Sequence, residues 1–335
     1  MVEQRNRLRL FTWHIHGSYL YYLSQANVLI YIPVNDEKSE GYVGRGSTFP
    51  FSENVIEIPA GSVKDYDFDC ILFQTANNYL FDQYDILSEG QRRLPRLFLE
   101  HDPPQQIPTN TRHPVNDPEI PIVHVTNFNA LMWDNNQSPV FVIDHGIHIK
   151  PVSYEGTLDR GIVVINNLHE RGRRLGLDVF LEVRKHIPLD IIGMNTQKIG
   201  GLGEILHPQI PDFIRKYRFF FNPIRYTSLG LAVLEAMMSG IPVVGLATTE
   251  MVTVIRDGHS GFLHTDISYL IERMKDLLAD QPLAARLGEE GRRVAIDRFN
   301  IDRFVQDWEN LLSAHVHDQL RHGMINSLQH STLNV

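Results

Sequence analysis

The chain has 335 residues, of which 43% are hydrophobic and 21% are charged, and its formal net charge is −9. That length fits two domains of ordinary size, each with its own core. The negative charge argues against nucleic acid as a partner and against strong docking on an anionic membrane, because such surfaces bind clustered Lys and Arg. The chain shows no transmembrane segment, since it lacks a run of about 18 apolar residues, and no signal peptide, so we expect a cytoplasmic protein.

In the first half, short apolar runs alternate with helical or polar segments. Residues 7–13 and 27–33 flank a short helical segment, which predicts a β-α-β unit. Most runs are apolar throughout, as expected for a parallel sheet covered on both faces. The only cysteine, Cys70, lies in one of them and is predicted to be a buried structural thiol. Further strands are predicted at residues 53–58, 69–74, 95–100, 121–126 and 139–144.

The second half repeats this alternation of strands and helices, which predicts a doubly wound α/β fold with parallel sheets. Between the halves, a Gly-, Pro- and polar-rich segment predicts a domain boundary. We expect an N-terminal domain at 1–148, a C-terminal domain at 149–300, a helix at 301–316 and a fraying polar tail at 317–335. The proline-rich segment at 100–121 is predicted to be a long ordered loop or a mobile lid.

The stretch RYTSLGLAVLEAMMSGIPVVG, residues 225–245, reads as a loop that turns into a helix and then a buried strand. Ligands of doubly wound domains bind beyond the carboxyl ends of the strands. We expect Thr227 or Ser228 to cap the helix, with the N–H groups of residues 228–231 forming an anion site that a ligand can approach closely at Gly230. Glu235 could then accept two ribose hydroxyls, although spacing alone equally allows a solvated acid.

Together with VTVIRDGHSGFL and RFNIDRFVQDWENLL further along, this stretch resembles the C-terminal half of retaining glycosyltransferases of the large family four, which have the GT-B fold. The resemblance is strong from about Gly161 to Leu312 and weaker before that. It implies two Rossmann-like doubly wound domains facing a cleft, with the sugar donor on the C-terminal domain and the acceptor on the N-terminal domain. It also implies that the helix at 301–316 packs back on the N-terminal domain.

The family's signature is an acid, seven residues and a second acid. Glu235 matches the second acid, which in the family binds the nucleotide ribose. Thr227 stands at the first, which in the family helps hold the donor sugar, so the donor and the rate are left open. In the loop where the family neutralises the diphosphate with an Arg and a Lys, Asn167 stands at the Arg position and Arg173 or Arg174 near the Lys position. Alternatively, these arginines only solubilise the surface.

In the N-terminal half, HIHG follows the first strand, where the family has a Gly-rich turn near the donor phosphate and the acceptor. His14 and His16 would share a face of a strand, which is also metal-ligand geometry, but no nearby Cys or acid supplies a third ligand. His101 resembles the histidine that the family places near the reacting sugar, and Asp102 follows it. Alternatively, His101 is a loop histidine that caps backbone groups.

The resemblance implies a metal-independent retaining glycosyltransferase without a cofactor. It would move a sugar from a nucleotide-diphosphate donor to a glycan or lipid-linked acceptor, in cell-envelope polysaccharide or glycolipid synthesis and with peripheral membrane contact allowed. One alternative is a catalytically impaired protein that binds a nucleotide or glycan; another is a GT-B sugar-nucleotide epimerase. The predicted site residues are His101, Arg173 and Arg174 for catalysis; Asn167, Thr227, Ser228, Leu229, Gly230, Leu231 and Glu235 for the donor; and His14, His16, Gly17 and Asp102 for the acceptor or cleft.

Overall fold

The computed structural model describes residues 7–332, with side chains described as far as residue 318. The chain forms two compact units. The first unit comprises the chain to Val125, Asn129–Ile143 and the chain from Ile301. The second comprises Thr126–Phe128 and Asp144–Asn300.

The first unit is built on a seven-stranded parallel sheet. Its strands lie in the order β3-β2-β1-β4-β5-β6-β7, so the order changes direction between β1 and β4. Every strand predicted in the first half is confirmed. The strands are β1 Leu8–Thr12, β2 Val28–Val34, β3 Val55–Pro59, β4 Cys70–Phe73, β5 Arg96–Glu100, β6 Ile122–His124 and β7 Val140–Val142.

The second unit is built on a five-stranded parallel sheet in the order β12-β11-β10-β8-β9, with its change of direction between β8 and β10. All six residues of β10 are buried, as expected when helices cover both faces of a parallel sheet. The predicted doubly wound α/β class is confirmed in both units. The strands are β8 Leu158–Val164, β9 Leu189–Ile192, β10 Tyr217–Asn222, β11 Val243–Leu246 and β12 Phe262–His264.

Helices connect the strands and cover the sheets. In chain order they are α1 Gly17–Leu23, α2 Gln83–Ile86, α3 Asn127–Met132, α4 Leu168–Arg171, α5 Leu177–Val183, α6 Ile210–Ile214, α7 Leu231–Met238, α8 Met251–Val254, α9 Ile267–Ala279, α10 Gln281–Arg298 and α11 Ile301–Thr332. Residues 101–121, between β5 and β6, form the long irregular loop that the prolines predict. No helix of the described residues is long and apolar enough to cross a membrane.

The last helix, α11, belongs to the first unit. Phe304, Trp308 and Leu312 are buried, and the Trp308 indole N–H donates to the hydroxyl of Tyr19 in α1 at 3.0 Å. Residues 317–332, which the sequence predicted to fray, instead continue the helix as far as Thr332. Residues 333–335 lie outside the described part of the chain.

The division between the units falls after Ile143, whereas the predicted boundary lies at 148/149. Two contacts explain why the intervening residues belong to the second unit. Asp144 is paired with the guanidinium of Arg298, and Ile147 forms a parallel backbone bridge with Asn300. Strand β7 therefore ends the first unit, and the following segment is fixed on the second.

Candidate functional site

In the second unit, the predicted donor residues follow two neighbouring strands. β8 and β10 lie side by side where the strand order changes direction. Loops that follow strands at such a switch point diverge to opposite faces of the sheet and leave a crevice between them, which is where doubly wound domains bind ligands. The loop after β8 contains Asn167, Arg173 and Arg174, and the loop after β10 contains Thr227–Gly230. The topology therefore brings the two predicted groups of donor residues to one edge.

The predicted cap of helix α7 is wrong. The helix begins at Leu231, with Gly230 in an extended conformation at the N-cap and no side-chain hydrogen bond there. Thr227 and Ser228 lie upstream of Gly230 in the loop, so neither side chain is at the capping position. The helix ends at Ser239, after which Gly240, at φ +73°, donates to the Met237 carbonyl, as in a Schellman motif.

The loop before α7 is anchored mainly through its carbonyl groups. The Thr248 hydroxyl donates to the carbonyl of Ile224 at 3.1 Å, and the Thr249 hydroxyl donates to that of Ser228 at 3.3 Å. The buried ring of His145 donates from Nε2 to the carbonyl of Leu229 at 3.1 Å. Among the described residues, the N–H groups of residues 227–231 meet no hydrogen-bond acceptor. Backbone amides of this kind suit an anion, so the predicted anion site at residues 228–231 stays a prediction.

Glu235 lies in the second turn of α7 and is only 4% exposed. Burying a carboxylate is costly unless it is paired. Here the ring Nε2 of His207 lies 2.9 Å from Oε1 of Glu235, and both side chains are largely buried. The alternative of a solvated acid on an exposed helix is therefore wrong. A ribose bound to Glu235 would share this carboxylate with His207.

The loop after β8 is fixed tightly against the end of β10. Gly176 has φ +82°, and a Cβ atom there would lie 1.9 Å from the carbonyl oxygen of Pro223, so only glycine fits. Asn167 also has a left-handed backbone, at φ +56°, and its side-chain oxygen accepts a hydrogen bond from Asn195 at 2.6 Å. In this structure Asn167 thus orients its own loop.

The arginines of this loop lie in a cluster with Arg225 and Asp178. The sequence predicted Arg173 and Arg174 as site residues but not the other two. The carbonyl of Arg174 accepts the N–H groups of Arg225 and Tyr226, at 3.1 and 3.3 Å, which joins the two loops. Arg173 and Arg225 share the carboxylate of Asp178. The hydrogen bond from Arg225 is the main reason that the pKa of Asp178 lies below its usual range. Arg173 and Arg225 together carry one more positive charge than the single Asp178 carboxylate that they share.

In the first unit, His14, His16 and Gly17 follow β1 at the corresponding edge. β1 ends at Thr12, so the two histidines lie on the connection to α1 and not on a strand as predicted. His14 donates from Nδ1 to the Gly44 carbonyl, and burial lowers its pKa. His16 is exposed. A Cβ atom on Gly17 would lie 2.4 Å from the Phe49 ring, so the absence of a side chain there is a packing requirement.

His101 follows β5 at the same edge and is 9% exposed. Its ring centre lies 4.0 Å from that of His16 and 4.9 Å from that of Tyr19. Its Nε2 lies 3.0 Å from Oε1 of Gln74, which follows β4. The structure therefore brings His16 and His101 together, whereas His14 contacts the loop around Gly44.

Asp102 contributes mainly backbone groups to the contacts at this edge. Its carbonyl accepts the indole N–H of Trp133 at 2.8 Å, and its N–H donates to Oε1 of Glu100 at 2.9 Å. The other oxygen of Glu100 lies 3.3 Å from Nε2 of His113. Burial raises the pKa of Glu100 to about 8 and lowers that of His113 to about 3, so both groups are predominantly neutral near pH 7. The bond from the Asp102 N–H to Glu100 holds the start of the proline-rich loop.

Several of these partners carry no signal in the sequence. His207 lies far along the chain from Glu235, Asp178 from Arg225 and Gln74 from His101. Position at the end of a predicted strand is the one available indication, and only Gln74 has it. Within the described residues, no group of three or more His, Cys, Asp or Glu side chains is placed to hold a metal ion.

Comparison with known structures identifies the architecture. Sucrose-phosphate synthase from Thermosynechococcus elongatus superposes with a TM-score of 0.68 at 14% identity, over 95% of this chain and 100% of that protein. Anabaena HepE in complex with UDP-glucose superposes with a TM-score of 0.64 at 13% identity, over 92% and 100%. The fold is GT-B. Two Rossmann-like α/β units with parallel sheets are the basis of that assignment.

Sequence comparison covers the second GT-B unit. Residues 160–280 match the family model described as glycosyl transferases group 1, which supports the family resemblance of this region. Among curated proteins, N-acetyl-alpha-D-glucosaminyl L-malate synthase of Bacillus anthracis is 30% identical over 86 residues, which is 25% of this chain and 23% of that enzyme. The chain spans about a quarter of the length of the curated relatives it matches.

Proposed function

We propose that this protein is a glycosyltransferase that transfers a sugar from a nucleotide-diphosphate donor to an acceptor hydroxyl with retention of configuration. One observation carries the proposal. In the second unit, buried Glu235 lies in a helix whose preceding loop has anchored carbonyls and amides without protein acceptors, beside a cationic loop. Amides and cations suit a diphosphate, and a carboxylate suits ribose hydroxyls, so one edge matches both halves of a nucleotide diphosphate.

The leaving diphosphate would be stabilised electrostatically. As the bond to the sugar breaks, negative charge develops on the diphosphate, and fixed amides at residues 227–231 together with Arg173, Arg174 and Arg225 would offset it. Because the two loops are joined through the Arg174 carbonyl, these groups are held in place before the reaction. Preorganised groups need little rearrangement at the transition state.

The acceptor side is assigned to the first unit, at the carboxyl ends of β1, β4 and β5. His101 and His16, whose rings are in contact, would orient a sugar or acceptor hydroxyl there. A hydroxyl can donate to or accept from an imidazole, so this pair suits a carbohydrate. The chemistry fits a glycan or lipid-linked acceptor, and a role in cell-envelope polysaccharide or glycolipid synthesis follows from the resemblance alone.

Thr227 is the residue that tests whether the protein is an active enzyme. It stands eight positions before Glu235, where the resembling family has an acid, so an impaired nucleotide-binding or glycan-binding protein is the second candidate. We expect wild-type protein to release nucleotide diphosphate when it is incubated with UDP-, GDP- and ADP-sugars and simple glycosides. The proposal further expects product NMR to show retained configuration and EDTA to leave the rate unchanged.

The Thr227→Glu variant distinguishes the two candidates, with Thr253→Glu in the same unit as a matched control. A glycosyltransferase adapted to threonine loses activity when a carboxylate is introduced into the loop. Activity that appears only in Thr227→Glu would contradict the enzyme proposal and favour the impaired protein. Isomerised donor sugar in the absence of any acceptor would instead indicate the epimerase.

A further inference from the structure

A chain of buried hydrogen bonds in the first unit leads from β1 through Gln74 to His101. The Thr12 hydroxyl lies 2.8 Å from the carbonyl oxygen of Leu72. Nε2 of Gln74 lies 2.9 Å from Oγ1 of Thr12 and 2.7 Å from the carbonyl oxygen of Trp13. Oε1 of Gln74 lies 3.0 Å from Nε2 of His101. Thr12, Gln74 and His101 are each at least nine-tenths buried, so the contacts are shielded from water.

The donors in this chain can be assigned from chemistry alone. The carbonyl groups of Leu72 and Trp13 only accept hydrogen bonds. Thr12 has a single hydroxyl hydrogen, which the carbonyl of Leu72 takes, so Oγ1 accepts from Gln74. The amide nitrogen of Gln74 thus donates one hydrogen to Oγ1 of Thr12 and the other to the carbonyl of Trp13, which fixes the orientation of the amide.

The amide oxygen of Gln74 must then face His101, and an amide oxygen only accepts. Nε2 of His101 therefore carries a hydrogen. In the neutral imidazole the second nitrogen, Nδ1, is then the acceptor. The direction of every bond follows from groups whose donor or acceptor role is invariant, namely two backbone carbonyls and one amide.

We propose that Gln74 is a positioning residue that fixes the Nε2–H tautomer of His101. In that tautomer Nδ1 has the acceptor role, which suits a hydroxyl that donates a hydrogen bond and does not suit a phosphate or carboxylate oxygen. The assignment of His101 to a sugar hydroxyl rests on the proposed function. The tautomer itself does not, because it follows from the contacts of the free protein.

The test is nitrogen-15 NMR of the histidine rings in the full chain at pH 8, without substrate. The His101 signals are assigned by their loss in His101→Asn. We expect a protonated Nε2 and an unprotonated Nδ1, with a slowly exchanging Nε2–H proton. In Gln74→Met, which matches the side-chain length but lacks the acceptor, we expect the Nε2–H proton to exchange with water fast enough for its signal to be lost.

The matched control is Gln91→Met. Gln91 is another buried glutamine of this unit, whose amide donates to the carbonyls of Val63 and Tyr66. The Gln91→Met substitution should leave the His101 signals unchanged. A protonated Nδ1 in the wild type overturns the proposal, as does an unchanged Nε2–H signal in folded Gln74→Met. If Gln74→Met does not fold, the proposal is judged from the tautomer of His101 in the wild type alone. A fixed tautomer in a protein without transferase activity would refute only the proposed function.

Discussion

At the scale of single residues, Glu235 illustrates how an expectation from the sequence becomes specific in the structure. The sequence alone allowed a solvated acid equally well, because a motif does not report burial. In the fold, the carboxylate is buried and paired with His207. A buried acid in an otherwise apolar helix lowers stability unless it is paired, and here His207 supplies the partner.

Replacing Gly230 with alanine should weaken ligand binding without a matching loss of stability. The φ of Gly230 is −66°, which any residue adopts, and a Cβ atom there would meet nothing closer than 3.9 Å. We expect Gly230→Ala to change the thermal unfolding midpoint little, because the lower entropy of the unfolded chain offsets the weaker N-cap. We also expect it to weaken nucleotide binding at least tenfold in calorimetry, since the methyl group would stand where the diphosphate approaches the backbone. Equal nucleotide affinities for Gly230→Ala and wild type would place the ligand elsewhere.

The residues that could not be predicted share a physical reason. The contacts of His207 with Glu235 and of Asp178 with Arg225 join residues that only tertiary folding brings together. The local sequence does not report such contacts. The capping prediction failed because a helix start depends on the backbone angles of the loop. Thr227 and Ser228 have the right side chains for a cap, yet the helix begins at Leu231 with Gly230 at the N-cap. The loop before it is held by hydrogen bonds from Thr248, Thr249 and His145.

At the scale of elements, prediction succeeded wherever burial determines the pattern. Parallel strands covered on both faces read as largely apolar runs, so the strands of the first half and the strand–helix alternation of the second were recognisable from sequence. Helix α11 was recognisable by the spacing of its apolar residues. Its extension to Thr332 was not, because a polar sequence lacks the periodicity that marks a packed helix.

Trp308 tests how α11 is attached to the first unit. It is fully buried and donates to the hydroxyl of Tyr19. Truncating a buried tryptophan removes its contacts and leaves a cavity, so we expect Trp308→Ala to lower the free energy of unfolding by about 3 to 5 kcal/mol in urea titrations. The exposed neighbour Gln306 is the control, and Gln306→Ala should change it by less than about 0.5 kcal/mol. Comparable losses for both variants would show that Trp308 does not anchor the helix.

At the scale of the whole molecule, the two units present different groups of residues at the carboxyl edges of their sheets. The second unit joins a cationic loop, unpaired amides and a buried carboxylate at one switch point, and this is the region that matches the group 1 glycosyl transferases. The first unit contributes the His16 and His101 pair at its own switch point. The division follows from topology, since parallel strands deliver the loops after them to one edge.

The central claim is that Glu235 binds the ribose of a nucleotide diphosphate, and calorimetric titration with UDP, GDP and ADP tests it most directly. We expect wild-type protein to bind one of the three. Glu235→Gln should weaken that binding by about 1 to 3 kcal/mol, the scale of lost charged hydrogen bonds, while the exposed control Glu182→Gln leaves it unchanged. Equal affinity of wild type and Glu235→Gln, or no binding of any of the three by the wild type, would contradict the account.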